Sequence, residues 1–325
     1  MINTLKFWLE CARWYALPMS FFSWLIVFCF AFLNGGNPVY GVLALLGISL
    51  LHLATNLFDD FCDFHSLKKY TDDNDKLVLP NTQRGKCKYI IENRTELRSV
   101  LFVVFLLCLI AFLIGCFFFF SVGKEVTVFI LIGALIVLLY SFLSKMRLAE
   151  VAVALAFGPL LFSGVYFVMC GSFIPQILIL SVPSAVFTVN LLFTDMFLDR
   201  DIDIAENKKT FAGLFKNEED ILKFQKILLF LGYLSVFLIP VFDIADWQVF
   251  FVFITIPLAI DLSDSLKLYS EDKASVPEKK WYHFPFEKWD DIVENRSPAF
   301  MFRMYQARNL MIYFSIIFIV GLFLD

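Results

Sequence analysis

Residues 38–63 read PVYGVLALLGISLLHLATNLFDDFCD. An uncharged apolar run of about 20 residues is long enough to cross the hydrocarbon of a bilayer as a helix. This one ends abruptly in acid, at Asn56-Leu-Phe-Asp59-Asp60-Phe-Cys-Asp63. On a helix Asn56, Asp60 and Asp63 fall at i, i+4 and i+7 and share a face, while Asp59 and Asp63 pair at i, i+4. A later apolar run ends the same way, in Asp195-Met-Phe-Leu-Asp199-Arg-Asp201-Ile-Asp203. There Asp195, Asp199 and Asp203 stack at i, i+4 and i+8. Stacked carboxylates repel one another and are costly beside a bilayer, so they need cations. Hard oxygen ligands on two facing helices suit Mg²⁺, which usually brings a phosphate-bearing substrate with it.

The rest of the chain fits that membrane setting. It is 59% hydrophobic and only 18% charged, with mean hydropathy +0.74, unlike an ordinary soluble domain. The composition predicts an all-α, polytopic helix bundle, with one membrane domain covering 1–325. The net charge of −4 says little about partners, and nothing points to nucleic acid. Seven cysteines lie scattered with no Cys-x-x-Cys or Cys/His spacing, so neither a disulfide framework nor a zinc site is expected. Lys6, Glu10 and Arg13 precede a first run long enough to span, which argues against a cleavable signal peptide.

Nine spans are predicted, near 14–34, 38–59, 99–121, 126–144, 149–170, 174–197, 220–241, 246–265 and 305–324. The ninth is short, and Asp261 blurs the end of the eighth. With the N-terminus in the cytosol, the loops near 60–98, 145–148, 199–219 and 266–304 are cytosolic. Those loops, the N-terminal segment and the adjoining span edges, Arg308 included, then hold every Lys and Arg except Lys124. Both acidic clusters fall on the cytosolic side, in the expected setting of the cell's inner (plasma) membrane. Their similar placement at the ends of spans two and six suggests two related halves. The segment 266–304 reads as a cytosolic loop with an amphipathic or interfacial helix around Phe284–Val293.

The two clusters resemble the paired aspartate motifs of the UbiA superfamily of intramembrane prenyltransferases. Asn56-Leu57-Phe58-Asp59-Asp60-Phe61-Cys62-Asp63 is similar to the N-L-x-N-D-Y-x-D segment of the branch that prenylates 1,4-dihydroxy-2-naphthoate, the MenA-type enzymes. Asp199-Arg-Asp-Ile-Asp203, followed by Lys208-Lys209-Thr210, resembles the second motif. Leu148-Ala149-Glu150 with Phe157-Gly158-Pro159-Leu160 looks like that branch's G-L-G-E…F-G-P-L, and Ala12-Arg13…Leu17-Pro18 is a fainter echo of its start. The likeness covers roughly residues 12–212. The chain departs from the pattern with Asp59 in place of Asn, Leu67 in place of a further Asp, Asn207 in place of Gly and Tyr140-x-x-x-x-Lys145 one residue longer than usual.

The resemblance implies nine helices around a central cavity, with an active site on the cytosolic side. It also implies Mg²⁺-dependent transfer of a polyprenyl group from a polyprenyl diphosphate to an aromatic quinone precursor. Asp60, Asp63, Asp199 and Asp203 are then the expected metal ligands. Asn56 would orient a ligand or a phosphate oxygen. Lys68, Lys69, Arg84, Lys145, Lys208 and Lys209 would meet the diphosphate, Lys145 and Arg84 foremost, because a leaving pyrophosphate needs fixed cations. Asp195 is either a further ligand or the partner of a basic group. Glu150 either binds the acceptor or favours a helix N-terminus. Asp201 points to another face and into solvent. His52 reads more naturally as a hydrogen-bonded core residue than as a contact to the acceptor, His65 and His283 as ordinary loop residues. Basic loop residues have an alternative in anionic headgroups. Rival acceptors are 4-hydroxybenzoate, homogentisate, chlorophyllide, haem or a glycerol phosphate. A secondary transporter would instead hold its carboxylates near the bilayer midplane, and an inactive scaffold would not be expected to keep both motifs. Oligomeric state leaves no mark in the sequence.

Overall fold

The computed structural model describes residues 2–67, 87–205, 209–287, 289–295 and 298–324. Among the described residues the regular structure is entirely helical. Nine helical segments there are long and apolar enough to cross a membrane: Trp14–Leu33, Pro38–Phe64, Leu97–Ser121, Val126–Lys145, Ala149–Cys170, Gln176–Leu198, Glu218–Val241, Trp247–Glu271 and Pro298–Phe323. They match the nine predicted spans, and the chain is an integral membrane protein.

A short helix α1 (Ile2–Cys11) precedes the bundle. Prolines at the first helical positions open α2 (Pro18–Leu33) and α3 (Pro38–Leu67), where a missing N–H costs no hydrogen bond. A short α4 (Lys88–Ile91) leads to α5 (Leu97–Ser121) and α6 (Val126–Lys145). Only 17% and 11% of the apolar windows of α5 and α6 are buried, so this pair lies at the rim and faces lipid.

The fifth span is broken into α7 (Ala149–Leu155), one wide π turn over Ala156–Leu160, and α8 (Leu161–Cys170). Pro159 has no N–H to give the ladder, and Gly158 departs from helical geometry at φ −98, ψ −111. A Cβ on Gly158 would stand 2.7 Å from the Ala185 Cβ. Glycine therefore lets the kink rest directly on α9 (Gln176–Leu198). With 72% of its window buried, α9 is the centre of the bundle. The short α10 (Arg200–Ala205) follows it.

Beyond α10, Asn217 caps α11 (Glu218–Val236) by accepting the Asp220 N–H, and Glu218, Glu219 and Asp220 place acid where the helix dipole favours it. The short α12 (Leu238–Val241) completes the seventh span, and a 3₁₀ stretch over Trp247–Thr255 runs into α13 (Ile256–Glu271). The last span, α15 (Pro298–Phe323), lies against that 3₁₀ stretch at Gly321, where a Cβ would meet Gln248 O at 2.8 Å.

Three expectations shift here. The ninth helix starts at Pro298 rather than 305. Its first turns carry Arg303, which falls in the expected 266–304 loop, and Gln306, Arg308 and Asn309, which fall at the start of the expected span. In the fold the segment after α13 covers them and supplies backbone acceptors. Arg303 is fully buried and donates to Ser265 O, Ala299 O and Ser275 O at 2.7, 2.7 and 2.9 Å. Asn309 donates to His283 O and Pro285 O, and Tyr305 to Glu287 O. The helix expected around Phe284–Val293 begins later, as α14 (Trp289–Asn295), because Pro285 interrupts the preceding stretch. His283 is not an ordinary loop residue either: it is buried and within 3.1 Å of Asp261. Asp261 also accepts from Lys280 and Tyr282, which answers its charge inside the eighth span.

Candidate active site

The first acidic cluster occupies the last turns of α3, and its neighbours come from three other elements. Arg13, at φ 55 in the turn after α1, donates to Asn56 O at 2.8 Å and to Asp60 Oδ1 at 3.0 Å, with Asp59 Oδ2 at 3.7 Å. Asn56 returns the contact by donating Nδ2 to Ala12 O at 2.9 Å. Asp60 is fully buried; its second oxygen accepts the Cys87 N–H at 3.2 Å, and Cys87 Sγ donates to Asp60 O. From α6, Ser141 donates to Asp59 Oδ1 at 2.9 Å and Lys145 Nζ lies 3.0 Å from Asp63. Burial pulls the Arg13 pKa down, but the carboxylates of Asp60 and Asp59 outweigh it and hold the guanidinium charged. So the repulsion visible in the sequence is answered by protein cations, Arg13 and Lys145.

The second cluster ends α9. Asp195 is half-buried, while Asp199 and Asp203 are buried. Asp199 terminates α9 and Asp203 lies on α10, yet the stacking persists. Asp199 N donates to Asp195 O at 3.0 Å and Asp203 N to Asp199 O at 2.9 Å, which carries the helical pattern across the junction. Asp201 points outward as expected and meets Lys273 at 3.2 Å. Lys209 is exposed and Thr210 buried. Lys68, Lys69, Arg84 and Lys208 lie outside the described residues, as does the side chain of His65.

Glu150 lies on α7, which packs against both α6 and α9, the helices that carry Lys145 and Asp195. It is buried, and neither carboxylate oxygen has a hydrogen-bond partner among the described residues. No side chain caps α7 through a hydrogen bond. One turn before Asn56, His52 Nδ1 is 3.0 Å from Ser20 Oγ and its ring packs on Phe157, the core role expected of it. Beneath the second cluster, Gln225 donates to Asn190 Oδ1 at 3.2 Å and accepts from Ser263 at 2.8 Å, tying α9, α11 and α13 together.

Both clusters are thus at the same end of the antiparallel bundle, joined through α6 and α7. Among the described residues no three His, Cys, Asp or Glu side chains converge as a ready-made metal cage. Arg13, Ser141 and the Cys87 N–H were not legible as site groups. A lone Arg before a first span reads as a topology signal, and nothing local announces a bond 43 residues away.

The sequence matches the model of the UbiA prenyltransferase family over residues 19–286. No curated protein sequence matches it. Among solved structures, digeranylgeranylglyceryl phosphate synthase is similar with a TM-score of 0.64 at 13% identity, over 99% of this chain and 100% of that one. A UbiA homolog from Archaeoglobus fulgidus bound to GPP and Mg²⁺ is similar at 0.56 and 14%, over 96% and 99%. The apo UbiA homolog from Aeropyrum pernix K1 is similar at 0.60 and 13%, over 94% and 97%. At such identities these structures speak for the fold alone, a nine-span bundle of the same kind. The family model spans both acidic helix ends and more than half of the chain, and the chain belongs to the UbiA prenyltransferase family.

Proposed function

We propose that this prenyltransferase binds an allylic polyprenyl diphosphate between the acidic ends of α3 and α9 and transfers the polyprenyl group to an aromatic quinone precursor, 1,4-dihydroxy-2-naphthoate, on the cytosolic side of the inner membrane. The observation that carries the reading is the pair of acidic helix ends at one end of the bundle, partly neutralised by Arg13 and Lys145. The donor set fits Mg²⁺, being all carboxylate oxygen with no His or Cys in it. The lack of a three-residue cage among the described residues fits as well, since Mg²⁺ is usually held by one or two carboxylates plus substrate phosphates. The A. fulgidus homolog was captured with GPP and Mg²⁺, a ligand pair of the same class.

Bound Mg²⁺ would offset the charge that grows on the leaving pyrophosphate. In this reading Asp63 on α3 and Asp199 and Asp203 at the end of α9 would hold Mg²⁺ ions, each helix end supplying one or two carboxylates and the diphosphate completing the set, with Asp195 one turn deeper. Asp60 joins them only by exchanging its bond to Arg13 for the metal; otherwise it positions Arg13. Arg13 and Lys145 have phosphate oxygens as their alternative partners, as do Lys68, Arg84, Lys208 and Lys209 in the basic loops. The prenyl C1–O bond breaks with its electron pair leaving on pyrophosphate. An acceptor ring carbon attacks C1, and loss of H⁺ or CO₂ from that carbon restores the aromatic ring. Glu150 supports a phenolic acceptor: a buried carboxylate with two unengaged oxygens is a ready partner for a hydroxyl. It stands six residues before the π turn of the F-G-P stretch, and such turns often mark functional positions.

The test gives purified protein a radiolabelled polyprenyl diphosphate, Mg²⁺ and the rival acceptors side by side. Lipophilic product with 1,4-dihydroxy-2-naphthoate, lost in Asp199→Asn and on chelation, is expected. Product with a different acceptor alone overturns the naphthoate assignment. No product with any acceptor overturns the reaction.

A further inference from the structure

Between α11 and α13 runs a groove of about 530 Å³, far from small for a ligand site. One wall is the stripe Lys226, Phe230, Tyr233, Leu234 and Phe237; the other runs from Asp264 through Ile260 and Ile256 to Phe253. These are successive turns of two antiparallel helices. We infer that this groove is a binding site for one zwitterionic phospholipid of the phosphatidylethanolamine type, its phosphate on Lys226, its ammonium on Asp264 and one acyl chain between the helices.

Three observations favour that occupant. Lys226 and Asp264 are opposite charges at matching depth, eight residues into α11 and seven from the end of α13. Neither forms an ion pair or side-chain hydrogen bond with another described residue, so a headgroup carrying both signs complements them. Next, the polar groups deeper in the groove are already answered. Tyr233 is hydrogen-bonded to Thr255 at 2.7 Å and Ser263 donates to Gln225. A hydrocarbon chain there strands no donor or acceptor. Last, Lys226 to Phe237 is eleven residues, about 16 Å of helix, close to one leaflet of a hydrocarbon core about 30 Å thick. Phe230, Leu234 and Ile260 are exposed along this length and open the groove to the bilayer side.

The experiment delipidates the full-length protein and offers it vesicle-derived phosphatidylethanolamine, phosphatidylcholine and phosphatidylglycerol with identical acyl chains. Retained lipid is then counted by native mass spectrometry. One tightly held phosphatidylethanolamine is expected, with phosphatidylglycerol held more weakly because Asp264 repels it. Lys226→Gln should weaken retention about fivefold, the effect of one headgroup-level cation, and Lys226→Glu, which also adds a repelling carboxylate, more than that. Lys226→Glu combined with Asp264→Lys should restore it. Ile260→Trp, at an exposed groove position, should displace the lipid while leaving the melting temperature unchanged. Equal retention of phosphatidylglycerol, retention indifferent to all of these variants, or a second copy or a prenyl diphosphate in the groove instead would overturn the assignment.

Discussion

Replacing Arg13 by Met removes a guanidinium that reaches both the Asn56 carbonyl and the Asp60 carboxylate. Asp60 is fully buried and the Arg13 side chain only 23% exposed. Losing one partner of a buried ion pair costs about 3–5 kcal/mol. Two features reduce that here. Asp60 keeps the Cys87 N–H, and the partial exposure of Arg13 gives water a route to the vacated site. The expected loss is therefore about 2–3 kcal/mol, read as a fall in melting temperature of several degrees in detergent or nanodiscs. The companion Asp60→Leu should cost somewhat less, because Arg13 keeps the Asn56 carbonyl and Asp59. The double variant should be milder than the sum, because the buried Arg13–Asp60 pair is removed whole and Asp59 keeps the Ser141 hydroxyl. Arg13→Lys should fall between, since an ammonium cannot serve the carbonyl and the carboxylate with one rigid fork. A single variant as stable as the parent, or a double variant whose losses simply add, would refute the view that Arg13 locks the N-terminal segment onto α3.

Four further outcomes follow from the same geometry. Lys145→Met should change stability by less than about 1 kcal/mol, because the Lys145 side chain in this pair is more than half exposed, yet lower turnover by roughly 10–100-fold through loss of a cation from the leaving diphosphate; unchanged turnover would contradict this. Glu150→Gln should raise KM for the acceptor and leave prenyl diphosphate affinity intact, as measured by equilibrium binding. Gln225→Leu strands Asn190 Oδ1 and the Ser263 hydroxyl at the join of three helices and should destabilise by about 1–3 kcal/mol in a melt. Burial lowers the His283 pKa from its ordinary 6.5, more than Asp261 raises it. The unfolded chain therefore binds the proton more readily, and stability should fall as pH drops below about 6.5. His283→Gln should flatten that slope, and an unchanged slope would show that another group governs it.

The sequence by itself determined the bundle, because an apolar run of span length leaves the backbone no option but a helix in hydrocarbon. The helical spacing of Asp60 and Asp63, and of Asp195, Asp199 and Asp203, likewise placed carboxylates on shared faces before any fold was known. Tertiary structure alone decided who answers those charges. Arg13 reaches Asp60 across 47 positions, and Ser141 reaches Asp59 across 82; such bonds depend on which helices become neighbours, and local spacing carries no record of that. The ninth helix shows the same limit. Arg303 looks too polar for a span until α13 and the segment following it supply the Ser265 and Ser275 carbonyls that its burial requires.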